Sequence, residues 1–269
     1  MSNSRIIAST MTCRLFSYEG ALKKLKSVGV EKVELCTTKS FVPHLDAQHI
    51  TEAQMDEMAK QAADIGVQVV TINGRHGLSE KGMYTGEGLQ RTANTMRLAY
   101  KLGAKIVTGN AGEISEGEDR AERLRQIAQY QRIAADIAED YGITYCIEAP
   151  HKNTIAVHMN EIFDYWDAMD PRIKVTYDPA HLVFDNEDPL EMLKRLAPRV
   201  GHVHMRDSIP GNSLLPYGEG QIDFKAVVSM LNDVDYKGFY TMEFPIEDLS
   251  TFDKRMAESV EFLSNLGIK

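Results

Sequence analysis

Cysteine is scarce in this sequence. Cys13, Cys36 and Cys146 are an odd number with no C-x-x-C spacing, so no disulfide framework is expected and a reducing, cytoplasmic setting suits the chain. Long apolar runs are missing as well; none approaches the ~18 residues a membrane span needs. The opening MSNSRIIASTM lacks a charged segment followed by an apolar one, so no export signal is expected. Positive charge is in deficit, with 30 Lys and Arg against 39 Asp and Glu, a net charge of −9 and a pI near 5.4. That balance argues against a general binder of nucleic-acid backbones and points to small-molecule chemistry. No linker, low-complexity tract or block of like charge marks a boundary. At 269 residues and 43% hydrophobic, the chain has enough material for a large core, and one domain over residues 1–269 is the expectation.

What the sequence does contain is a period. The strings VGVEKVEL, IGVQVVTI, LGAKIVTG and YGITYCIE carry Gly29, Gly66, Gly103 and Gly142, spaced 37, 37 and 39 residues apart. In each, a helical pattern ends at a glycine suited to a left-handed cap, and a β-branched run follows. Reading on, strands are predicted at 6–10, 32–35, 68–72, 105–108, 144–148, 173–178, 201–205 and 239–243. Helices fall near 18–27, from the Thr51/Gln54 capping box to 64, 89–102, up to 140, 159–169, 189–197, 224–232 and 251–266. Eight strand–helix pairs predict a single (β/α)8 TIM barrel, with a doubly wound open sheet as the alternative.

Four of the predicted strands end in chemically similar ways. TYCIEAPHK carries Glu148, VTYDPAHL carries Asp178 and His181, GHVHMRD carries His204, and GFYTMEF carries Glu243. Glu148, Asp178, His204 and Glu243 are 30, 26 and 39 residues apart, about one strand plus one helix each time. With a side-chain period of two, Cys146 and Glu148, Thr176 and Asp178, His202 and His204, and Thr241 and Glu243 share a face, which would be the barrel interior. Three carboxylates packed together would repel one another and would be costly to bury without a cation among them. A divalent metal is the simplest reading, and three carboxylates with one imidazole suit manganese or magnesium better than a structural zinc site.

Each residue also has a plainer reading. Glu148 and Glu243 could form ion pairs at strand tips, and His204 could be a satisfied core histidine. His202, one layer deeper, is expected to make a hydrogen bond inside the barrel. His181 and His151 follow their carboxylates into the loops, as substrate contacts or, for His181, a helix cap. Arg206 extends the inward face of strand seven, to bind a substrate oxygen or phosphate or to pair with a rim carboxylate. GEGQIDF lacks the third glycine and the preceding strand of a dinucleotide fingerprint; it reads as a tight turn before a helix, with Asp223 as N-cap and Phe224 packing inward. Trp166 and Phe163 read as outer-layer core.

Taken together and in order, TYCIEAPHK, VTYDPAHL, HVHMRD, GEGQIDF and YTMEF resemble the xylose isomerase-like superfamily of sugar isomerases and epimerases, over essentially the whole barrel. The resemblance implies that Glu148, Asp178, His204 and Glu243 hold one divalent ion, commonly manganese, magnesium, cobalt or zinc. It further implies that Glu148 and Glu243 double as the acid/base pair, that His181 contacts substrate, and that the barrel forms a homodimer or homotetramer. The function expected first is isomerisation or epimerisation of a keto sugar, sugar phosphate or keto-inositol through an ene-diolate. A lyase or dehydratase acting by β-elimination begins with the same proton abstraction. A nuclease of the abasic-endonuclease type is a remoter alternative, since strands three and four end near Asn73 and Asn110 rather than clear ligand histidines, although His76 is close by. A non-catalytic sugar-binding barrel would require the metal set to be vestigial. The expected partner is a small carbohydrate or cyclitol, with no nucleic acid and no membrane.

Overall fold

At all four repeated glycines the predicted helix-to-strand junction is built. Gly29, Gly66, Gly103 and Gly142 have φ of 82°, 74°, 77° and 64°, the left-handed conformation in which a helix can stop and release the chain into the next strand. The computed structural model describes residues 5–38, 41–42, 44–74, 86–151 and 154–268. His76, noted above near the end of strand three, lies outside the described residues.

The chain runs β1 (Ile6–Ser9), α1 (Tyr18–Ser27), β2 (Lys32–Cys36), α2 (Glu52–Ile65), β3 (Gln68–Asn73), α3 (Gly86–Leu102), β4 (Ile106–Asn110), α4 (Arg120–Asp140) and β5 (Thr144–Glu148). It continues with α5 (Met159–Ala168), β6 (Lys174–Tyr177), α6 (Pro179–Phe184), α7 (Pro189–Leu196), β7 (Val200–Met205), β8 (Asp207–Ile209), β9 (Asn212–Leu215), α8 (Phe224–Asp233), β10 (Tyr240–Met242) and α9 (Phe252–Ser264). Eight parallel strands close in the order β1-β10-β7-β6-β5-β4-β3-β2. The predicted TIM barrel is therefore the observed fold, and the open-sheet alternative falls because β1 pairs with both β2 and β10. Among the described residues, no helix is long and apolar enough to cross a membrane.

Local signals act as read. Thr51 and Gln54 form both halves of the capping box that starts α2, and Asp223 accepts from the Ala226 N–H to start α8. Phe224 and Trp166 are buried and Phe163 packs against the core. One face of each strand, with Val33, Ile72, Ile147, Val175 and Val203, joins helix residues such as Leu22, Tyr130, Ile162 and Val227 in a continuous apolar layer. The other face turns into the barrel and is polar: Glu34, Thr71, Thr108, Thr176, His202, His204 and Thr241 are all buried. The three cysteines are buried and unbonded.

Two elements go beyond the sequence reading. After β6 the chain does not enter a loop but starts α6, with Asp178 as N-cap and Pro179 at the first helical position. After β7 it folds into the antiparallel hairpin β8–β9, whose Pro210–Gly211 tip places Gly211 at φ 78°, as a proline-then-glycine turn requires. The hairpin is tied to the GEG turn by Asp207, which is 1% exposed. Its carboxylate accepts from the N–H groups of Ser208, Gly218 and Gly220 at 2.9, 2.8 and 3.0 Å. A Cβ on Gly220 would lie 2.1 Å from Asp207 Oδ1 and 2.6 Å from the Ser208 carbonyl oxygen. Gly220→Ala is therefore expected to cost about 1–3 kcal/mol through overpacking, read as a lower urea midpoint at unchanged m-value. An unchanged midpoint would show that the turn can move away from Asp207.

Candidate metal and substrate site

The barrel brings the four predicted strand-tip residues together. Glu148 ends β5, Asp178 caps α6 immediately after β6, His204 lies in β7, and Glu243 follows β10. One candidate ligand atom from each lies within 4.8 Å of the others. Asp178, His204 and Glu243 are almost fully buried, at 2%, 0% and 3% exposure, while Glu148 keeps an edge toward a cavity of about 200 Å³ that opens at the rim.

His204 organises the cluster. Its Nδ1 is 2.7 Å from Glu148 Oε1 and 3.3 Å from Glu243 Oε2, and its Nε2 is 3.2 Å from Glu34 Oε2. Asp178 Oδ1 accepts from the Ala180 N–H at 2.8 Å, and its Oδ2 accepts from Arg206 Nε and Nη2 at 2.9 and 2.6 Å. Arg206 thus makes the ion pair that was one of its two expected roles, and it also lines the cavity. The same Nη2 lies 2.6 Å from His181 Nε2. Because a guanidinium can only donate, that nitrogen is the acceptor and the His181 proton sits on Nδ1. His181 lies in the connection after β6 as expected, but within the short helix α6, where it is 6% exposed and lines the cavity. His151 lines the same cavity, its ring centroid 4.4 Å from that of His181. Glu148, His151 and His181 form another group with ligand atoms within 4.8 Å, but Arg206 already occupies the single lone pair of His181, which makes this the poorer seat for a cation.

Two residues near the cluster were not singled out from the sequence. Asn73 donates through Nδ2 to Glu243 Oε1 at 2.6 Å. Glu34 is fully buried and reaches both His202 and His204 from β2. Its signal was a lone acid between Val33 and Leu35 in an apolar strand, on the face shared with Cys36. His202 makes the internal hydrogen bond expected of it, to Glu34 Oε2 at 2.9 Å, and contacts Thr241 Oγ1 at 3.0 Å.

The electrostatics follow from this geometry. Burial pushes the Glu243 carboxyl up to about 8, with the Glu148 charge adding to it and His204 opposing. Burial pushes Glu148 up as well, but His204 outweighs it and holds that carboxyl below the usual carboxylate range. Burial lowers the His204 imidazole, yet Glu243, Glu34 and Glu148 together raise it well above an ordinary histidine. Burial raises Asp178 despite Arg206, and burial with the Arg206 charge holds His181 well below its ordinary value. Two glutamates at one site are thus driven in opposite directions, the pattern of paired acid/base groups. Three carboxylates and an imidazole, faced by Arg206 as the one lysine or arginine among the described cavity residues, form a donor set that fits one hard or borderline divalent cation.

Comparison with known proteins agrees with the fold. A family model described as xylose isomerase-like TIM barrel matches residues 22–266. The inosose dehydratase of Clostridium perfringens is 29% identical over 229 residues, covering 77% of this chain and 63% of that protein. The chain spans less than two thirds of the length of the curated relatives it matches. Among solved structures, a D-psicose 3-epimerase crystallised in the presence of D-fructose superposes with a TM-score of 0.78 at 16% identity, covering 98% of this chain and 100% of that one. An IOLI protein with a bound zinc atom superposes with a TM-score of 0.76 at 16% identity, covering 97% of each chain. At such identities the structural likeness carries the fold alone.

Proposed function

The chain belongs to the xylose isomerase-like TIM barrel family, and on that premise we propose that it is a divalent-metal-dependent enzyme acting on a keto sugar or cyclitol within one catalytic barrel. The observation that carries this reading is the set of Glu148, Asp178, His204 and Glu243, with ligand atoms within 4.8 Å, of which Glu148 and Glu243 line a cavity shared with His151, His181 and Arg206. These four residues would hold the ion, manganese being the best match to the donor set and zinc the ion in one structural neighbour. When bound, the cation would polarise a substrate carbonyl and lower the cost of removing the neighbouring C–H proton.

The protein's own groups do the rest. Glu148 and Glu243 reach the cavity from β5 and β10, which are not adjacent in the ring, so one can take a proton from the substrate carbon while the other returns one. Asn73 holds Glu243 in place by its amide N–H. The His151 ring and the Arg206–His181 pair face the substrate space and can bind hydroxyl oxygens. Returning the proton to a carbon gives isomerisation or epimerisation, which is our first reading. A second reading is favoured by the similarity to inosose dehydratases: the electron pair released from the broken C–H bond instead expels a β-hydroxyl, which leaves as water after accepting a proton.

The deciding experiment is solvent exchange. Incubated in D₂O with a panel of keto sugars, ketose phosphates and keto-inositols, the manganese-loaded protein is expected to place deuterium at the carbon next to the carbonyl. A chelator should abolish the exchange. A product isomeric with the substrate marks an epimerase or isomerase, and loss of water marks a dehydratase. Absence of exchange across the panel with metal bound would refute the enolisation chemistry.

A further inference from the structure

We infer that Glu34 is a positioning residue for the metal centre: through the Nε2 edge of His204 it fixes that ring so that Nδ1 faces Glu148 and Glu243. The inference rests on the metal-dependent reading above and deepens it. Glu34 sits on β2, separated from β7 in the ring by β1 and β10. Its contact with His204 therefore crosses the barrel interior, between positions 170 residues apart in the chain. Glu34, His202 and His204 are all at 0% exposure. A single carboxylate oxygen, Oε2, lies 2.9 Å from His202 Nε2 and 3.2 Å from His204 Nε2.

The chemistry of imidazole gives this contact its meaning. A neutral histidine has one nitrogen with a proton and one with a lone pair, and only the lone pair can bind a cation. An ionised carboxylate is acceptor-only, so Glu34 retains the proton on the Nε2 side. With an ion bound, the proton given up would be the one on Nδ1, and the lone pair exposed there would point toward the carboxylate cluster. A carboxylate on the far nitrogen of a ligand histidine both orients the ring and raises its basicity. A carboxylate placed only for packing would be costly here, because an apolar side chain of similar size could fill a fully buried position without desolvating a charge. The competing structural account is that Glu34 merely pins β2 to β7 through His202. The two accounts differ in which histidine matters.

Zn²⁺ affinity, read by competition with a chromogenic chelator, separates them, with folding followed by near-UV circular dichroism. Wild type should bind one equivalent and Asp178→Ala should lose it. Glu34→Gln keeps the shape but can offer its amide N–H₂ to His204, and it is expected to weaken Zn²⁺ by about 10- to 100-fold. His202→Gln replaces the other partner of Glu34 while leaving Glu34 Oε2 on His204 Nε2, so it should weaken Zn²⁺ clearly less than Glu34→Gln does, although both variants lower the thermal midpoint. In ¹⁵N-labelled, zinc-loaded wild type, His204 should show a protonated Nε2 and a ligated Nδ1. Glu34→Ala, where it folds, should lose that single pattern. Wild-type affinity in Glu34→Gln, or equal losses in Glu34→Gln and His202→Gln, would overturn the positioning role while leaving the metal centre standing. No Zn²⁺ bound by wild type, or unchanged binding by Asp178→Ala, would overturn the metal centre and this inference with it.

Discussion

Glu148→Gln should lower kcat by about 10²- to 10⁴-fold, the contribution of one positioned acid/base group, while the KM for the same substrate changes little. The amide matches the carboxylate in shape and still offers an oxygen near His204 Nδ1, where Glu148 Oε1 now lies at 2.7 Å. It cannot accept and hold a proton from carbon, and that is the loss turnover would report. The groups facing the substrate space, His151, His181 and Arg206, are untouched, so the binding of hydroxyl oxygens should persist. Deuterium exchange from solvent is the sharper measurement, because it reports the proton step whether the reaction ends as an epimer or an elimination product. Exchange at the wild-type rate in Glu148→Gln would remove this residue from the acid/base pair. The environments make the test informative, since Glu148 is held below the usual carboxylate range against its burial while Glu243 is pushed up to about 8 by its own.

Asp178→Ala should cut metal affinity by more than about 100-fold, beyond the loss typical of residues that only support a ligand, and reduce turnover to background. Asp178 sits between β6 and α6, and both of its oxygens are already committed to neighbours, Oδ1 to the Ala180 N–H and Oδ2 to Arg206. Oδ1, with one donor, still has a second lone pair for a cation, whereas Oδ2 already accepts two N–H groups of Arg206. Truncation removes that donor and also strips Arg206 of its carboxylate partner, leaving a buried guanidinium held by His181 and 3.9 Å from Glu243 Oε2. The freed arginine is drawn toward the remaining carboxylates and competes for the space of the ion. The measurement is metal content after exhaustive dialysis, alongside circular dichroism to confirm the fold. Full metal occupancy in Asp178→Ala would contradict its assignment as a ligand.

The tendency of each strand-tip residue to face the barrel interior was legible because period-two alternation needs only neighbours in sequence. Glu148 follows Cys146 and His204 follows His202 on one face, and the gaps of 30, 26 and 39 residues between Glu148, Asp178, His204 and Glu243 each approximate the length of a strand–helix pair. The hairpin β8–β9 was signalled by Pro210–Gly211, but three- and four-residue strands are too short for alternation to register. His181 was placed in a loop because six residues, PAHLVF, are less than two turns and carry no helical period. Arg206 had two open roles because choosing between them requires knowing what stands opposite, here Asp178 and His181.

By itself, then, the sequence determined the alternation of helices and strands, the eightfold count, and the four residues carried to the strand tips. These follow from local propensity, from glycine's access to positive φ, and from side-chain periods of two and 3.6. Tertiary structure alone decided that Glu34 meets His202 and His204 across 168 and 170 residues of chain, that Asn73 steadies Glu243, and that Asp207 binds the glycine turn. The Glu34 and Asn73 contacts exist only because β1 closes the ring against β10, whereas Asp207 reaches glycines 11 and 13 residues further on within the connection after β7. Ring closure brings into hydrogen-bonding distance groups whose separation along the chain carries no local signal.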